Sequence, residues 1–306
     1  MNQRRKQLFT GLRDLKSFFN KNGFLEVVTP PMVQNPGMEV HIHPFKVTKA
    51  INDLDTDWYL QTSPEFAMKE LLSEGFDKIY NISYCFRDEQ ESSTHRPQFL
   101  MLEWYRAHEN YQKIKADCND LVTNFPGSRF KSVEEVSVEE LFLEYCSMNI
   151  LDFLDTNDLY QKIEKDFPQF GISKELPFED LFFILFLNLI EPQFKNHPAL
   201  IVDKYPAPLS ALSTINKKDP RVCERFELYL NGIEAANCFN ELTDLKIQSS
   251  RFEKDALQKK KAYGYTLPKP QVLYGALEKG LPPSAGIAMG VERFLMAMTN
   301  EENLFY

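Results

Sequence analysis

The stretch from Lys78 to Arg106 constrains the fold more than any other part of the chain. It reads KIYNISYCFRDEQESSTHRPQFLMLEWYR, with an apolar, aromatic segment on each side of a charged loop. Segments of this kind predict two strands, and the loop from Arg87 to Pro97 carries too many charges for a tight hairpin turn. An arginine at the end of a strand, such as Arg87, can hold a phosphate through charge-assisted hydrogen bonds. Taken alone, the stretch is explained equally well by a solvated hairpin loop.

A second segment near the C-terminus, Ala285–Met296, predicts a strand of small residues that passes into a helix. Gly286, Ala288 and Gly290 leave one face of that strand without bulk, so a flat ligand could lie against the backbone. Arg293 follows one helical turn later and can point toward the same space. The two segments together predict a site that contains two arginines.

The order of FRxE, a charged loop and, far downstream, G-x-x-x-G-x-x-R resembles motifs 2 and 3 of the class II aminoacyl-tRNA synthetases. The resemblance implies an α+β fold, an antiparallel sheet flanked by helices. It also implies one catalytic domain over residues 1–306, with a mainly helical insertion around 107–195 and no anticodon-binding domain. The first predicted helix and the segment Phe24–Pro31, a short strand closed by prolines, resemble motif 1, which implies a homodimer.

The segment Gly232–Asp244, G-I-E-x-x-N-x-F-x-E-L-x-D, resembles the lysine-specific branch of the family. Its two acids, Glu234 and Glu241, lie on either side of a predicted bend. Together with an amide, two carboxylates can bind a divalent cation through hard oxygen ligands. Surface carboxylates explain the same pattern without a metal.

The segment Thr62–Glu65 predicts the start of a helix. Ser63 suits the N-cap, Pro64 the first helical position and Glu65 the positive end of the helix, so capping alone explains it. The resemblance adds a further role, because the segment matches the family loop whose acid receives the substrate amino group.

Within the lysine branch, the chain most resembles the small paralogues of lysyl-tRNA synthetase that attach (R)-β-lysine to a lysine of translation elongation factor P. The segment Met101–Arg106 matches these paralogues, and Ala288 stands where lysyl-tRNA synthetases usually carry glycine. The motif 1 resemblance begins at the N-terminus, which leaves no room for an anticodon-reading module. The resemblance therefore implies an ATP-dependent, AMP-forming ligase that acts on lysine or (R)-β-lysine and on elongation factor P.

The resemblance also implies the roles of individual residues. Arg87 and Arg293 are the implied catalytic residues, which clamp the phosphates of ATP. The residues implied to contact ATP are Arg87, Asp88, Glu89, His95, Arg96, Phe99, Glu234, Ala235, Gly290 and Arg293. The residues implied to contact the lysine substrate are Ser63, Pro64, Glu65, Glu103, Tyr105, Asn237, Glu241 and Ala288. The implied Mg²⁺ ligands are Glu234 and Glu241.

Departures from the family pattern at three positions bear on these roles. Ser93 stands where the family's motif 2 loop has arginine, and Arg96 stands where it has asparagine. We hypothesise that Arg96 takes over the lost phosphate contact. Cys238 replaces a glycine beside the acids implied to bind metal.

Charge and apolar runs limit the remaining functions. The net charge is −9, and tRNA binding is not expected because nucleic-acid binding needs local positive charge. The tight cationic cluster Lys259–Lys261 predicts a solvated helix face. The apolar run Leu181–Ile190 is about half the length that a membrane span needs, so it predicts a buried helix and no membrane association. Without a signal-peptide core or a C-x-x-C pair, a reducing, cytoplasmic setting is expected.

Two other functions remain open from the sequence. One is a truncated lysyl-tRNA synthetase-like enzyme that charges tRNA. The other is a catalytically inactive paralogue that acts as a regulatory subunit, although the presence of both Arg87 and Arg293 argues against it.

Overall fold

The computed structural model describes residues 3–50, 54–92, 94–301 and 303–305, so Ser93 lies outside the described residues. In chain order, the helices and strands are α1 (Gln3–Lys21), β1 (Leu25–Glu26), β2 (Met32–Val33), β3 (Lys46–Lys49), β4 (Leu54–Leu60), α2 (Glu65–Ser73), β5 (Lys78–Phe86), β6 (Gln98–Ala107), α3 (Tyr111–Asn124), β7 (Glu134–Ser137), α4 (Val138–Cys146), α5 (Thr156–Asp166), α6 (Phe178–Leu185), β8 (Ala199–Asp203), β9 (Arg225–Leu230), β10 (Ile233–Asn240), α7 (Leu245–Tyr263), α8 (Gln271–Lys279), β11 (Ser284–Gly290) and α9 (Val291–Thr299).

The centre of the fold is an eight-stranded sheet in the order β1-β5-β6-β11-β10-β9-β8-β7. Neighbouring strands from β5 to β8 are antiparallel, whereas β1 and β7 join the two edges in parallel. A second, three-stranded sheet has the order β2-β4-β3. The predicted α+β class with an antiparallel sheet is confirmed.

The two strands predicted around the charged loop are β5 and β6, which pair in unbroken register, residues 78–86 against 98–106. Successive side chains of a strand point to opposite faces of the sheet. Tyr80 and Trp104 pack with α1 and α9 on one face. Tyr105 packs with α2 and α8 on the other. Strand β6 is therefore covered on both faces, and from Leu100 onward it is buried along its whole length.

The helix-rich segment after β6 divides between two apolar clusters. Helix α3 packs into the main core beneath the central sheet. Helices α4 to α6 form a cluster of their own, in which Phe182 and Phe186 pack against Tyr205. The run predicted as one buried helix is α6 followed by a wider π-helical turn, Phe186–Ile190. The boundaries of the insertion, and a single domain over the chain, stay predictions.

The Asn231-Gly232 dipeptide, which is a hairpin signal in the sequence, forms the turn that joins β9 and β10. Both residues have positive φ angles, 51° and 79°, which a two-residue hairpin turn of this kind requires. The bend predicted between Glu234 and Glu241 is wrong as a break in the chain, because β10 is a strand from Ile233 to Asn240, although its register with β9 shifts at a bulge between Glu234 and Ala236. Pairing across the sheet to β9 and β11 extends this segment in spite of its polar residues.

The prediction of a solvated face at Lys259–Lys261 is wrong for its first member. Lys259 is 1% exposed, and its ammonium donates to the backbone carbonyls of Glu39, Val40 and Ile42 at 2.8–3.0 Å. Burial lowers its pKa. The side chain thereby ties helix α7 to the irregular segment before β3. Among the described residues, the helices are too short or too polar to cross a membrane.

Candidate active site

One cavity of about 330 Å³ collects most of the predicted site residues. The predicted residues that line it are Ser63, Glu65, Arg87, Glu89, His95, Arg96, Phe99, Glu103, Tyr105, Glu234, Ala235, Asn237, Glu241, Ala288, Gly290 and Arg293. Pro64 and Asp88 are not among the lining residues. Pro64 stands directly before α2, which begins at Glu65, one residue later than predicted. The Asp88 N–H donates to the His43 carbonyl at 2.7 Å.

Arginines from two distant parts of the chain line this cavity. Arg87 follows β5, and its guanidinium lies over the Phe99 ring at 5.3 Å. Arg293 lies in the first turn of α9, which is fixed against β6 because the Glu292 carboxylate accepts the Leu100 N–H at 2.9 Å. Two cations in one cleft can attract an anion such as a triphosphate.

The charged loop closes over Arg293. The Arg293 guanidinium donates to the carbonyls of Thr94 and Glu234 at 3.1 Å and 3.0 Å, and it lies 2.8 Å from His95 Nε2. Burial and the charge of Arg293 lower the pKa of His95, so the neutral ring can accept a hydrogen bond from the guanidinium. Arg96 donates to carbonyls within the loop and lies over the Phe305 ring.

One end of the cavity is acidic. Glu65 and Glu241 both contact the buried ammonium of Lys69, at 2.5 Å and 2.6 Å. Burial raises the pKa of Glu65 in spite of Lys69, and it raises the pKa of Glu241 to about 7. The two carboxylates raise the pKa of Lys69 against the effect of its burial. Burial removes the water that would stabilise these ionised carboxylates. A cationic ligand can stabilise them instead, because it supplies a nearby positive charge.

Glu103 adds a third carboxylate to the acidic end. It accepts hydrogen bonds from Ser63 Oγ at 2.6 Å and from the Tyr105 hydroxyl at 3.0 Å. Burial, with the nearby charge of Glu65, raises its pKa to about 8. Ser63 Oγ also accepts the Glu65 N–H at 3.1 Å, the interaction expected of a helix-capping serine.

The small residues of β11 shape this wall because the neighbouring strand β6 directs bulky side chains toward them. Gly286 pairs with Tyr105 and Ala288 with Glu103 across the two strands. A Cβ at position 286 would overlap the Tyr105 ring, whereas one at Gly290 would make only an ordinary contact with Arg293 at 3.5 Å. Gly286 therefore makes room for a protein side chain, not for a flat ligand.

Comparison with known families places these features in context. The model of the class II tRNA synthetases (D, K and N) matches residues 4–305. The chain belongs to this family. It is 35% identical over 98% of its length to the elongation factor P–(R)-β-lysine ligase of Mannheimia succiniciproducens, of which the alignment covers 93%. The corresponding ligase of Photorhabdus laumondii is also 35% identical, over 96% of this chain and 90% of the relative. That of Pasteurella multocida is 34% identical, over 93% and 87%.

The structure does not bring Glu234 and Glu241 of this class II chain together. They lie at opposite ends of β10, and the rise of a strand separates their backbones by roughly 20 Å. Glu241 contacts Lys69, whereas Glu234 Oε2 lies 3.7 Å from Arg293 Nη1. Burial raises the pKa of Glu234, and the charge of nearby Glu227 raises it further. A single cation cannot bridge the two predicted ligands in this arrangement.

Two cations that support the site were not predicted. Lys69 is one, and its position four residues after Glu65 on a helix was the available signal. Arg225 on β9 is the other, and it donates to Asn237 Oδ1 at 3.2 Å and to Glu227 Oε1 at 2.6 Å. Alternation along β9 directs Arg225 and Glu227 to the same face.

Proposed function

We propose that this chain activates lysine or (R)-β-lysine with ATP and transfers it to a lysine side chain of elongation factor P. One observation carries the proposal: a single cavity is lined both by Arg87 and Arg293 and by the carboxylates of Glu65, Glu103 and Glu241. The arginines suit a triphosphate, and the carboxylates suit the amines of a diamino acid. The names of the relatives, which are ligases of this kind, support the same substrates.

In the first step, a carboxylate oxygen of the amino acid attacks the α-phosphorus of ATP, and pyrophosphate leaves with the electrons of the broken P–O bond. Negative charge gathers at the phosphates, where positioned cations are most effective. We assign Arg87 to the α-phosphate and the incoming carboxylate. We assign Arg293 to the γ-phosphate and to one face of the adenine, with Phe99 on the other face and Glu89 at the adenine amino group.

Mg²⁺ fits the nucleotide end of the cavity through Glu234. This ion commonly takes one or two carboxylates and completes its shell with water and phosphate oxygens. Glu234 is close to Glu227, and their mutual repulsion favours a cation beside them. The ion would neutralise phosphate charge during activation. We assign Glu241 to the amino acid and not to Mg²⁺, because it contacts Lys69 and lies among the carboxylates of the acidic end.

In the second step, the neutral ε-amine of the acceptor lysine attacks the acyl carbon. A C–N bond forms, the bond between the acyl carbon and the AMP oxygen breaks, and AMP leaves with its electrons. The nitrogen then loses one proton to give an amide. Glu65, Glu103 and Glu241 keep the amines of the activated amino acid in place during this attack.

We further propose that the chain is a homodimer joined through its motif 1 region. The surface there exposes large apolar side chains, with Val28 91% and Leu25 52% exposed. Exposed apolar groups next to each other on a surface are typical of interaction sites. Leu25 also belongs to an edge strand, which leaves backbone groups open to a second copy.

Two measurements test the proposed function. Pyrophosphate exchange with ATP and each lysine isomer separates an active enzyme from an inactive paralogue. Intact-mass measurement of elongation factor P, after incubation with ATP and each isomer, is expected to show the addition of one lysyl group. Exchange activity together with charging of tRNA, and no change in the mass of elongation factor P, would contradict the proposed acceptor.

A further inference from the structure

Lys69 lies behind the acidic end of the cavity. Its side chain is 1% exposed, and it contacts Glu65 Oε1 and Glu241 Oε2. Both carboxylates line the cavity, whereas Lys69 is not among the lining residues. Helix α2 places Glu65 and Lys69 on one face, one turn apart, and Glu241 arrives from the end of β10.

The charges at this end can be counted. Glu65, Glu103 and Glu241 line the cavity there, and all three have raised pKa values because they are buried. Three ionised carboxylates in one buried site would repel one another strongly. When all three are ionised, the ammonium of Lys69 offsets one charge, and the nearby carboxylate of Glu39 adds to the negative charge around Glu65. The two ammonium groups of lysine or β-lysine can offset the negative charge that is left.

We propose that Lys69 is a positioning residue that makes the cavity selective for amino acids with two ammonium groups. Its ammonium holds Glu65 and Glu241 at a fixed separation and uses one oxygen of each. The other oxygens of Glu65 and Glu241 are left for the amines of the ligand. Glu103, whose two oxygens already accept from Ser63 and Tyr105, adds negative charge beside them. This inference rests on the proposed function, because it explains how that function selects its amino acid.

Two variants separate the charge of Lys69 from its geometry. Lys69→Met keeps the length of the side chain and removes the charge, and Lys69→Arg keeps the charge in a wider group. In pyrophosphate exchange, we expect Lys69→Met to raise the KM for lysine roughly 30-fold or more, as for a broken buried charge pair. Lys69→Arg is expected to raise it less, and neither is expected to change the KM for ATP by more than about twofold, since ATP binds at the other end.

Lys115→Met is the matched control. Lys115 is also a buried lysine between two carboxylates, those of Glu135 and Asp203, and it does not line the cavity. The Lys115→Met substitution is expected to lower the melting temperature and to leave the KM for lysine unchanged. Lys69→Ala supplemented with propylammonium is expected to recover part of its affinity for lysine, whereas Lys115→Ala is expected to show no such rescue.

Several results would overturn the inference. One is a KM for lysine that stays at the wild-type value in Lys69→Met or Lys69→Arg. Another is a parallel rise of the KM for ATP. Where Lys69→Met does not fold, Lys69→Arg decides the question, because it leaves no buried carboxylate without a partner.

Failure of the proposed function can be told apart from failure of this inference. Wild-type protein that exchanges pyrophosphate with no lysine isomer would refute the function alone. Calorimetry with 1,5-diaminopentane then tests Lys69 directly. The diamine is expected to bind the wild type more tightly than it binds Lys69→Arg, and more tightly than 1-aminopentane binds the wild type. Equal affinities in either comparison would refute the role of Lys69.

Discussion

Replacement of Gly286 by alanine tests how the lysine end of the site is built. The added Cβ would overlap Cε1 and Cδ1 of the Tyr105 ring and come within 2.7 Å of Cζ. Ordinary contacts of this kind are longer than about 3.4 Å, so the ring must move by roughly 1 Å or more. Tyr105 is 3% exposed and donates to Glu103 at 3.0 Å. The displacement therefore breaks that hydrogen bond and strains the core.

The expected cost of Gly286→Ala is about 2–3 kcal/mol, as for an overpacked core site. For a chain of this length, that cost lowers the melting temperature by roughly 3–5 °C. The KM for lysine in pyrophosphate exchange is expected to rise at least about tenfold, because Tyr105 and Glu103 both line the cavity there. Differential scanning calorimetry and exchange kinetics give the two quantities.

Gly290→Ala is the matched control for stability, since its Cβ makes only an ordinary contact with Arg293. We expect its melting temperature to stay within about 1 °C of the wild type. A Gly286→Ala protein that is as stable as the wild type and has an unchanged KM for lysine would refute the assigned packing of Tyr105 against β11.

Three further predictions concern other parts of the molecule. Arg96→Ala is expected to raise the apparent constant for ATP far more than that for lysine, and equal effects would contradict a phosphate contact. Because burial raises the pKa of Glu103 from 4.5 to about 8, the folded state binds one more proton than the unfolded state between these values. The free energy of unfolding is therefore expected to fall with rising pH in this window, by up to about 1.4 kcal/mol per pH unit from this group. Glu103→Gln, measured by urea denaturation, is expected to show a smaller slope, and an identical slope would contradict the assignment. Val28→Glu is expected to shift sedimentation toward a monomer, whereas Leu257→Glu, also at an exposed apolar site, is expected to leave it unchanged. A Val28→Glu protein that still sediments as a dimer would exclude this surface as the interface.

The strands of this fold were predictable where local pattern and turn chemistry agree. Strands β5 and β6 follow from two aromatic segments around a charged loop, and the β9–β10 hairpin follows from Asn231-Gly232. The bend expected before Glu241 was wrong, because pairing on both sides of β10 outweighs its polar composition. Cross-strand pairing is not visible in the local sequence.

Most residues of the candidate site could be named from ordered motifs, but their burial and partners could not. Lys69 and Lys259 both belong to charged helical patterns that usually face solvent. Each is buried because distant groups meet its ammonium, Glu241 in one case and three carbonyls in the other. The overlap of a Cβ at Gly286 with Tyr105 likewise depends on the register between β6 and β11.

Lys259 anchors the backbone of Glu39, Val40 and Ile42, so the position of this cavity wall does not depend on their side chains. The acceptors are main-chain carbonyls, which every amino acid provides. Side chains at these three positions can therefore change in the course of evolution while the backbone stays fastened to α7. These three residues line the cavity. Substitutions of their side chains can therefore change which ligands the cavity prefers while the backbone keeps its position.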